Sequence, residues 1–147
     1  MAEFAFSQVD VFEDGPLSGN PLAVVHGADA LDDATMQSFA RWTNLSETVF
    51  LLAPTSAEVD YRVRIFTPGG ELPFAGHPTL GTCHAWLEAG GAARSSTAVV
   101  QECGIGLVRI RRDGDRTAFA APSMQTSRSR TTCWVRCSTH STFPTKR

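Results

Sequence analysis

The stretch Phe66–Gly91, FTPGGELPFAGHPTLGTCHAWLEAGG, decides how the rest of the chain is read. It leaves the end of a strand, turns through Pro68-Gly69-Gly70 and crosses to a helix read over residues 78–89. Pro78 suits the first turn of that helix, because its missing N–H has no intrahelical partner there and its φ is already helical. Gly90-Gly91 supplies a left-handed stop. His77 then lies at a helix N-terminus, where unpaired backbone N–H groups and the positive end of the dipole favour an anion. On local physics alone the plainer reading is a capping turn with an incidental histidine. The helix itself carries Thr79, Leu80, Gly81, Thr82, Cys83, His84, Ala85, Trp86 and Leu87, small or apolar nearly all round. A helix with no charged face is buried on most sides. Gly81 costs roughly 1 kcal/mol relative to alanine inside a helix, so a close packing contact is expected to require it. Cys83 and His84 read as core residues rather than ligands.

The remaining segments are short strands around this helix. Val59, Tyr61, Val63 and Ile65 alternate with Asp60, Arg62 and Arg64, which predicts a strand with one dry face and one wet face. Phe4–Phe12 also alternates as a strand, with Phe4, Phe6 and Phe12 beside Asp10 on one side and Ala5, Ser7, Val9 and Val11 on the other. Leu22–Val25 and Thr48–Leu52 are apolar runs of strand length. Asp32 or Asp33 can cap a helix over 33–43 that Asn44 ends. Residues 97–102, 107–112 and 117–120 are three further strands, with Asp113-Gly114-Asp115 a strong hairpin signal. The expected fold is α+β, a sheet wrapped round one small-residue helix.

At 147 residues, with 42% hydrophobic content and a mean hydropathy of -0.10, the chain suits one soluble globular domain. Its first residues, MAEFAFSQVDVF, lack the features of a secretory signal, and no run approaches the roughly 18 apolar residues of a membrane span. A cytoplasmic location with reduced thiols is expected, without a membrane partner. Charge divides unevenly: residues 1–122 hold 15 acids and 8 arginines, whereas residues 123–147 hold four arginines and the single lysine without an acid. An acidic body argues against nucleic acid as a partner. Residues 123–147 contain 11 Ser or Thr and no periodicity. They read as a basic tail that is disordered or out of frame, beyond a domain spanning 1–122. Cys133 and Cys137 with His140 make only half of a metal signature, and no metal is proposed.

Two carboxylates are candidates for proton transfer. Glu47 follows the first helix in Asn44-Leu45-Ser46-Glu47-Thr48; flanking apolar residues would desolvate it and raise its pKa toward that of a useful base. Glu71 lies on the glycine-rich approach to His77. The chain has no phosphate loop, dinucleotide fingerprint or nucleophile elbow.

The blocks VDVFEDGPLSGNPLAVV (residues 9–25), NLSETVF (44–50) and YRVRIFTPGGELPFAGHPTLGT (61–82), with the helix that follows, resemble the N-terminal half of the phenazine-biosynthesis isomerase-like (PhzF-like) family. The resemblance runs from about Phe4 to Pro122, with its blocks in family order and spacing. It implies a diaminopimelate epimerase-like fold: two similar domains, each with strands wrapped round a central helix, and an active site between them. It also implies that Glu47 is the proton-shuttling acid/base and that Gly76 and His77 contact a small carboxylate substrate. In the best-known member the glutamate moves a proton from C3 of dihydro-3-hydroxyanthranilate to C1, without metal or cofactor. Related epimerases place a cysteine at a comparable helix start. Here Gly76-His77-Pro78 stands there and Cys83 is two turns further in, which favours the glutamate branch. Family members carry a second domain that contributes an aspartate and a serine, where this chain has its tail. The sequence therefore leads to an expected isomerase that is truncated and weak or inactive as it stands, or to a non-catalytic binding or dimerising module. A homodimer is expected in either case.

Overall fold

The computed structural model describes residues 3–114, 116–121 and 137–138. The expectation for 123–147, including Cys133 and His140, therefore lies outside the described residues, apart from Cys137 and Ser138.

The chain begins with an antiparallel pair, β1 (Phe6–Val11) and β2 (Asn20–Val25). A single 3-10 turn at Ala28–Ala30 leads to helix α1 (Asp33–Thr43), whose N-cap Asp32 accepts a hydrogen bond from Thr35 N at 2.7 Å. Asn44 closes α1 in the left-handed conformation, φ 53°. Strand β3 (Thr48–Leu52) then enters parallel to β2, and β4 (Tyr61–Thr67) returns antiparallel to β3. The hairpin strand β5 (Gly70–Leu72) pairs with the end of β4 and leads into α2 (Gly76–Glu88). Strands β6 (Ala98–Cys103), β7 (Gly106–Asp113) and β8 (Arg116–Phe119) complete a meander whose first strand lies parallel to β4. A two-residue strand, β9 (Cys137–Ser138), lies beside β8. The sheet order among the described residues is β1-β2-β3-β4-β6-β7-β8-β9, with β5 on β4.

This sheet curls round α2. Pro78–Cys83 and Ala85 are all buried, and the core around them draws on β1 (Val11), β2 (Leu22, Val24), β4 (Tyr61, Val63, Ile65) and β6–β8 (Val99, Ile110, Phe119). Gly81 makes the close approach possible: a Cβ there would lie 2.7 Å from Val11 Cγ2 and 2.8 Å from Leu22 Cδ2. The expected packing role of Gly81 is thus observed. The far end of α2 is a Schellman stop, with Gly91 N donating to Trp86 O, Gly90 N donating to Leu87 O, and Gly90 at φ 91°. The Trp86 ring lies over Gly91, where any side chain would displace it. Cys83 is buried as expected. His84 departs from its core assignment: it sits half-buried at the rim, 3.4 Å from Glu88 one turn on.

A second, smaller apolar cluster covers the opposite face of the sheet. Met36 and Ala40 of α1 pack there against Phe50, Leu52 and Phe66. Strand β3 consequently has no exposed side, which explains its uninterrupted apolar run Thr48–Leu52. The wet face inferred for β4 is an ion-pair face: Arg64 joins Asp33 of α1 to Glu71 of β5. Among the described residues no helix is long and apolar enough to cross a membrane.

Candidate active site

Helix α2 starts two residues earlier than its proline suggests. Ala75 is extended (φ -150°, ψ 143°) and is the N-cap, so Gly76 and His77 occupy the first turn and Pro78 the third position. Proline is tolerated there because the first-turn N–H groups have no intrahelical acceptor. Thr79 fixes the turn by donating from both N and Oγ1 to Ala75 O, at 3.3 and 2.9 Å. Ala75 offers no side-chain cap, so the Gly76 and His77 N–H groups remain aimed outward along the helix axis. An added Cβ on Gly76 would meet only Phe119 Cζ, at 3.4 Å, so space alone does not demand glycine there.

Glu47 comes to the same place from the other side of the chain. Its loop is pinned at both ends: Asn44 N donates to Ala40 O, and the Thr43 and Thr48 hydroxyls meet at 2.9 Å. The carboxylate therefore emerges where β2 and β3 begin and β4 ends, beside the mouth of α2. Glu47 Oε2 lies 3.4 Å from His77 Nε2, with side chains only 16% and 9% exposed. Neither atom has an aligned hydrogen-bond partner, although both are fully buried. Burial raises the Glu47 pKa above the ordinary carboxylate range and pushes that of His77 down to about 4. At neutral pH His77 is thus uncharged, and the 3.4 Å contact is not an ion pair.

The structure brings Glu47, His77 and Gly76 together and leaves Glu71 out. Glu71 instead holds Arg64 through two short contacts, 2.7 Å to Nε and 2.6 Å to Nη2, on the α1 side of the sheet. The period of the β4–β5 hairpin decides this, since Glu71 stands opposite Phe66, which faces α1. Two residues of the cluster escaped the sequence reading. Asn20 Nδ2 lies 3.3 Å from His77 Nδ1, and Ser46 Oγ donates to Asn20 Oδ1 at 3.4 Å. Asn20 precedes a proline and reads as turn chemistry; only the packing of α2 against β2 carries it to a histidine 57 positions away. Among the described residues no group of three or more His, Cys, Asp or Glu is placed to hold a metal ion.

The family model for phenazine biosynthesis-like proteins matches residues 9–144. Over 116 residues the chain is 49% identical to antisense-enhancing sequence 1 of Schizosaccharomyces pombe, covering 79% of this chain and 39% of that protein. Over 117 residues it is 43% identical to the trans-2,3-dihydro-3-hydroxyanthranilate isomerase of Pseudomonas aeruginosa, covering 80% and 40%. The crystal structure of the Bacillus anthracis PhzF-family phenazine biosynthesis protein superposes with a TM-score of 0.70 at 30% identity, over 81% of this chain and 41% of that one. A hydroxyproline epimerase from Agrobacterium vitis shares the fold alone, with a TM-score of 0.56 at 18% identity over 77% and 40%. The fold is therefore the diaminopimelate epimerase-like α+β fold that the sequence motifs imply, and the chain spans about two fifths of the length of the curated relatives it matches. On the family match and these likenesses, the chain belongs to the phenazine biosynthesis-like family, whose relatives include named isomerases.

Proposed function

We propose that this chain supplies one half of a cofactor-independent isomerase in which Glu47 moves a proton between two carbons of a small carboxylate substrate. The observation that carries the proposal is the buried, unaligned contact between Glu47 and His77 at the N-terminus of α2. A general base works best when its pKa approaches the working pH, and burial moves Glu47 in that direction. His77, held down to about 4, is a poor proton carrier near neutrality and suits the role of a neutral donor. The outward N–H groups of Gly76 and His77, with the helix dipole, would hold the substrate carboxylate. The Glu47 carboxylate would take a proton from one carbon and the freed electron pair would shift along the conjugated system. The same proton would then return at its far end. The step is redox-neutral and its product is an isomer of the substrate.

The curated relatives named above are about twice as long, so the activity is proposed for a protein in which a second half closes the cleft. Closure by that half would add the positioning and the exclusion of water that proton transfer needs, so the chain by itself is expected to be weak or inactive. The test is proton exchange in D2O with trans-2,3-dihydro-3-hydroxyanthranilate, the compound for which the Pseudomonas aeruginosa relative is named. It uses the chain and a version joined to that relative's second half. The joined protein is expected to incorporate deuterium, and Glu47→Gln to abolish it. No exchange by the joined protein, or equal exchange by Glu47→Gln, would overturn the proposal.

A second reading, a dimerising module without catalysis, is favoured by one observation. An apolar groove on the α1 face is lined by Phe4, Phe6, Leu31, Phe39 and Trp42, with Trp42 79% exposed. A second copy of the chain is its occupant in that reading. Sedimentation that shows a monomer, with or without Trp42→Ser, would sink it.

A further inference from the structure

The two ring nitrogens of His77 meet different chemistry. Nε2 faces Glu47 Oε2 at 3.4 Å, whereas Nδ1 is met at 3.3 Å by the side-chain amide nitrogen of Asn20. An amide nitrogen can only donate, so Nδ1 has to present a lone pair to it. A neutral imidazole carries one proton, and that proton then belongs on Nε2. The opposite tautomer would set an N–H against the Asn20 NH2 on one side. On the other it would set a bare nitrogen against a carboxylate oxygen, within a pocket that leaves the His77 side chain 9% exposed. Unmatched polar pairs are costly at that depth. The other end of the amide is also engaged, with the Ser46 hydroxyl donating to Asn20 Oδ1 at 3.4 Å, so that the NH2 is the end turned to His77.

We infer that Asn20, anchored by Ser46, is a positioning residue that fixes His77 as the Nε2–H tautomer, so that the ring faces the reaction space as a hydrogen-bond donor and Glu47 is the sole base of the pair. Asn20 stands at the first position of β2 and Ser46 in the loop before β3, two strands that pair in parallel. The register of the sheet thereby sets a proton position. The Nε2–H group is available either to the Glu47 carboxylate or to a substrate oxygen lying between them. Both outcomes keep the imidazole from competing for the proton that Glu47 moves. Only the division of labour rests on the proposed function; the tautomer is a property of the free chain and is read without substrate.

The experiment is a long-range 1H–15N correlation spectrum of the full chain with 15N-labelled histidine, near neutral pH. The chain has four histidines, and the signals missing from His77→Gln identify the ring in question. Wild type is expected to show His77 protonated at Nε2 and unprotonated at Nδ1. In Asn20→Asp, whose side-chain oxygens accept, Nδ1 is expected to gain a proton. A merely architectural Asn20 would alter stability and leave the proton where it was. Protonated Nδ1 in wild type overturns the inference, as does an Asn20→Asp ring identical to wild type. Should Asn20→Asp fail to fold, the wild-type spectrum decides alone. A correct tautomer in a protein whose Glu47→Gln variant still exchanges would sustain this inference and sink the isomerase reading.

Discussion

Glu47 and Glu71 stand 24 positions apart on opposite faces of one sheet, and they are treated in opposite ways. Glu71 has both oxygens on the Arg64 guanidinium, which also reaches Asp33 and lies 5.1 Å over the Phe66 ring. Every demand of that carboxylate is met by a fixed cation in partly wet surroundings. Glu47 is taken further out of water and given a neutral imidazole, without an aligned donor. A satisfied carboxylate holds structure together, whereas one buried without satisfaction stays available to bind or move a proton. Nearness to His77 along the chain does not distinguish them; burial and partners do.

Exchanging the two roles should give the largest effect. In the protein completed by a second half, Glu47→Gln should lower solvent exchange by on the order of 10²-fold or more, and Glu71→Gln should leave it within about threefold. Equal losses would mean that the two carboxylates differ only in burial and not in function.

Acid should break the Glu47 side of the comparison next. His77 has a folded-state pKa of about 4 against 6.5 when unrestrained, so the unfolded chain takes up that proton first as pH falls. The stability attached to the neutral ring is fully present above about pH 6.5 and is lost as pH drops toward 4, by at most about 3 kcal/mol. Glu47 works in reverse. Its raised pKa makes the ionised form a cost that is present above that pKa and relieved by acid. Urea unfolding of wild type and His77→Gln between pH 7 and 4 isolates the histidine. Wild type should lose stability relative to the variant across that window, and parallel curves would show that His77 is not held neutral.

The parts of this arrangement legible in the sequence are those that repeat or punctuate. The period of 2 in Val59–Ile65 gives β4 its two faces, and the lack of a polar face on 78–89 marks α2 as the enclosed helix. Gly81 in the middle of that helix signals a close contact because nothing local rewards a glycine there. The three-residue strand β5 is too short for any period and was hidden in a run read as turn and crossing. The site is legible differently. That Glu47 reaches His77 follows from no local rule, because the two meet only once β2, β3 and α2 are assembled; motif order supplied the pair. Asn20 and Ser46 were masked by plausible local roles, a residue before proline and a loop hydroxyl.

Gly81 also allows the comparison to be sharpened at its scaffold. Gly81→Ala would gain about 1 kcal/mol of helix propensity but would push a methyl into Val11 and Leu22 at under 3 Å. A net loss of about 1–2 kcal/mol is expected in urea unfolding, as α2 lifts from β1 and β2. Because α2 carries His77 and the loop before β3 carries Glu47, this variant should also loosen their contact. Glu71, which moves with the β4–β5 hairpin, should keep its hold on Arg64.

The smallest effect belongs to Glu71 itself. Glu71→Gln removes a two-point carboxylate–guanidinium contact whose partners are 40% and 28% exposed, and pairs at that exposure contribute roughly 0–1 kcal/mol. Arg64 retains Asp33 at 2.6 Å, so the cation is not stranded by the change. The loss should therefore be under about 1 kcal/mol and should shrink further when unfolding is measured at high salt, since screening acts on exposed charges. A loss several times larger and indifferent to salt would make Glu71 a buried structural keystone rather than a surface tie. The contrast with Glu47 would then rest on what each carboxylate faces and no longer on how deeply it lies.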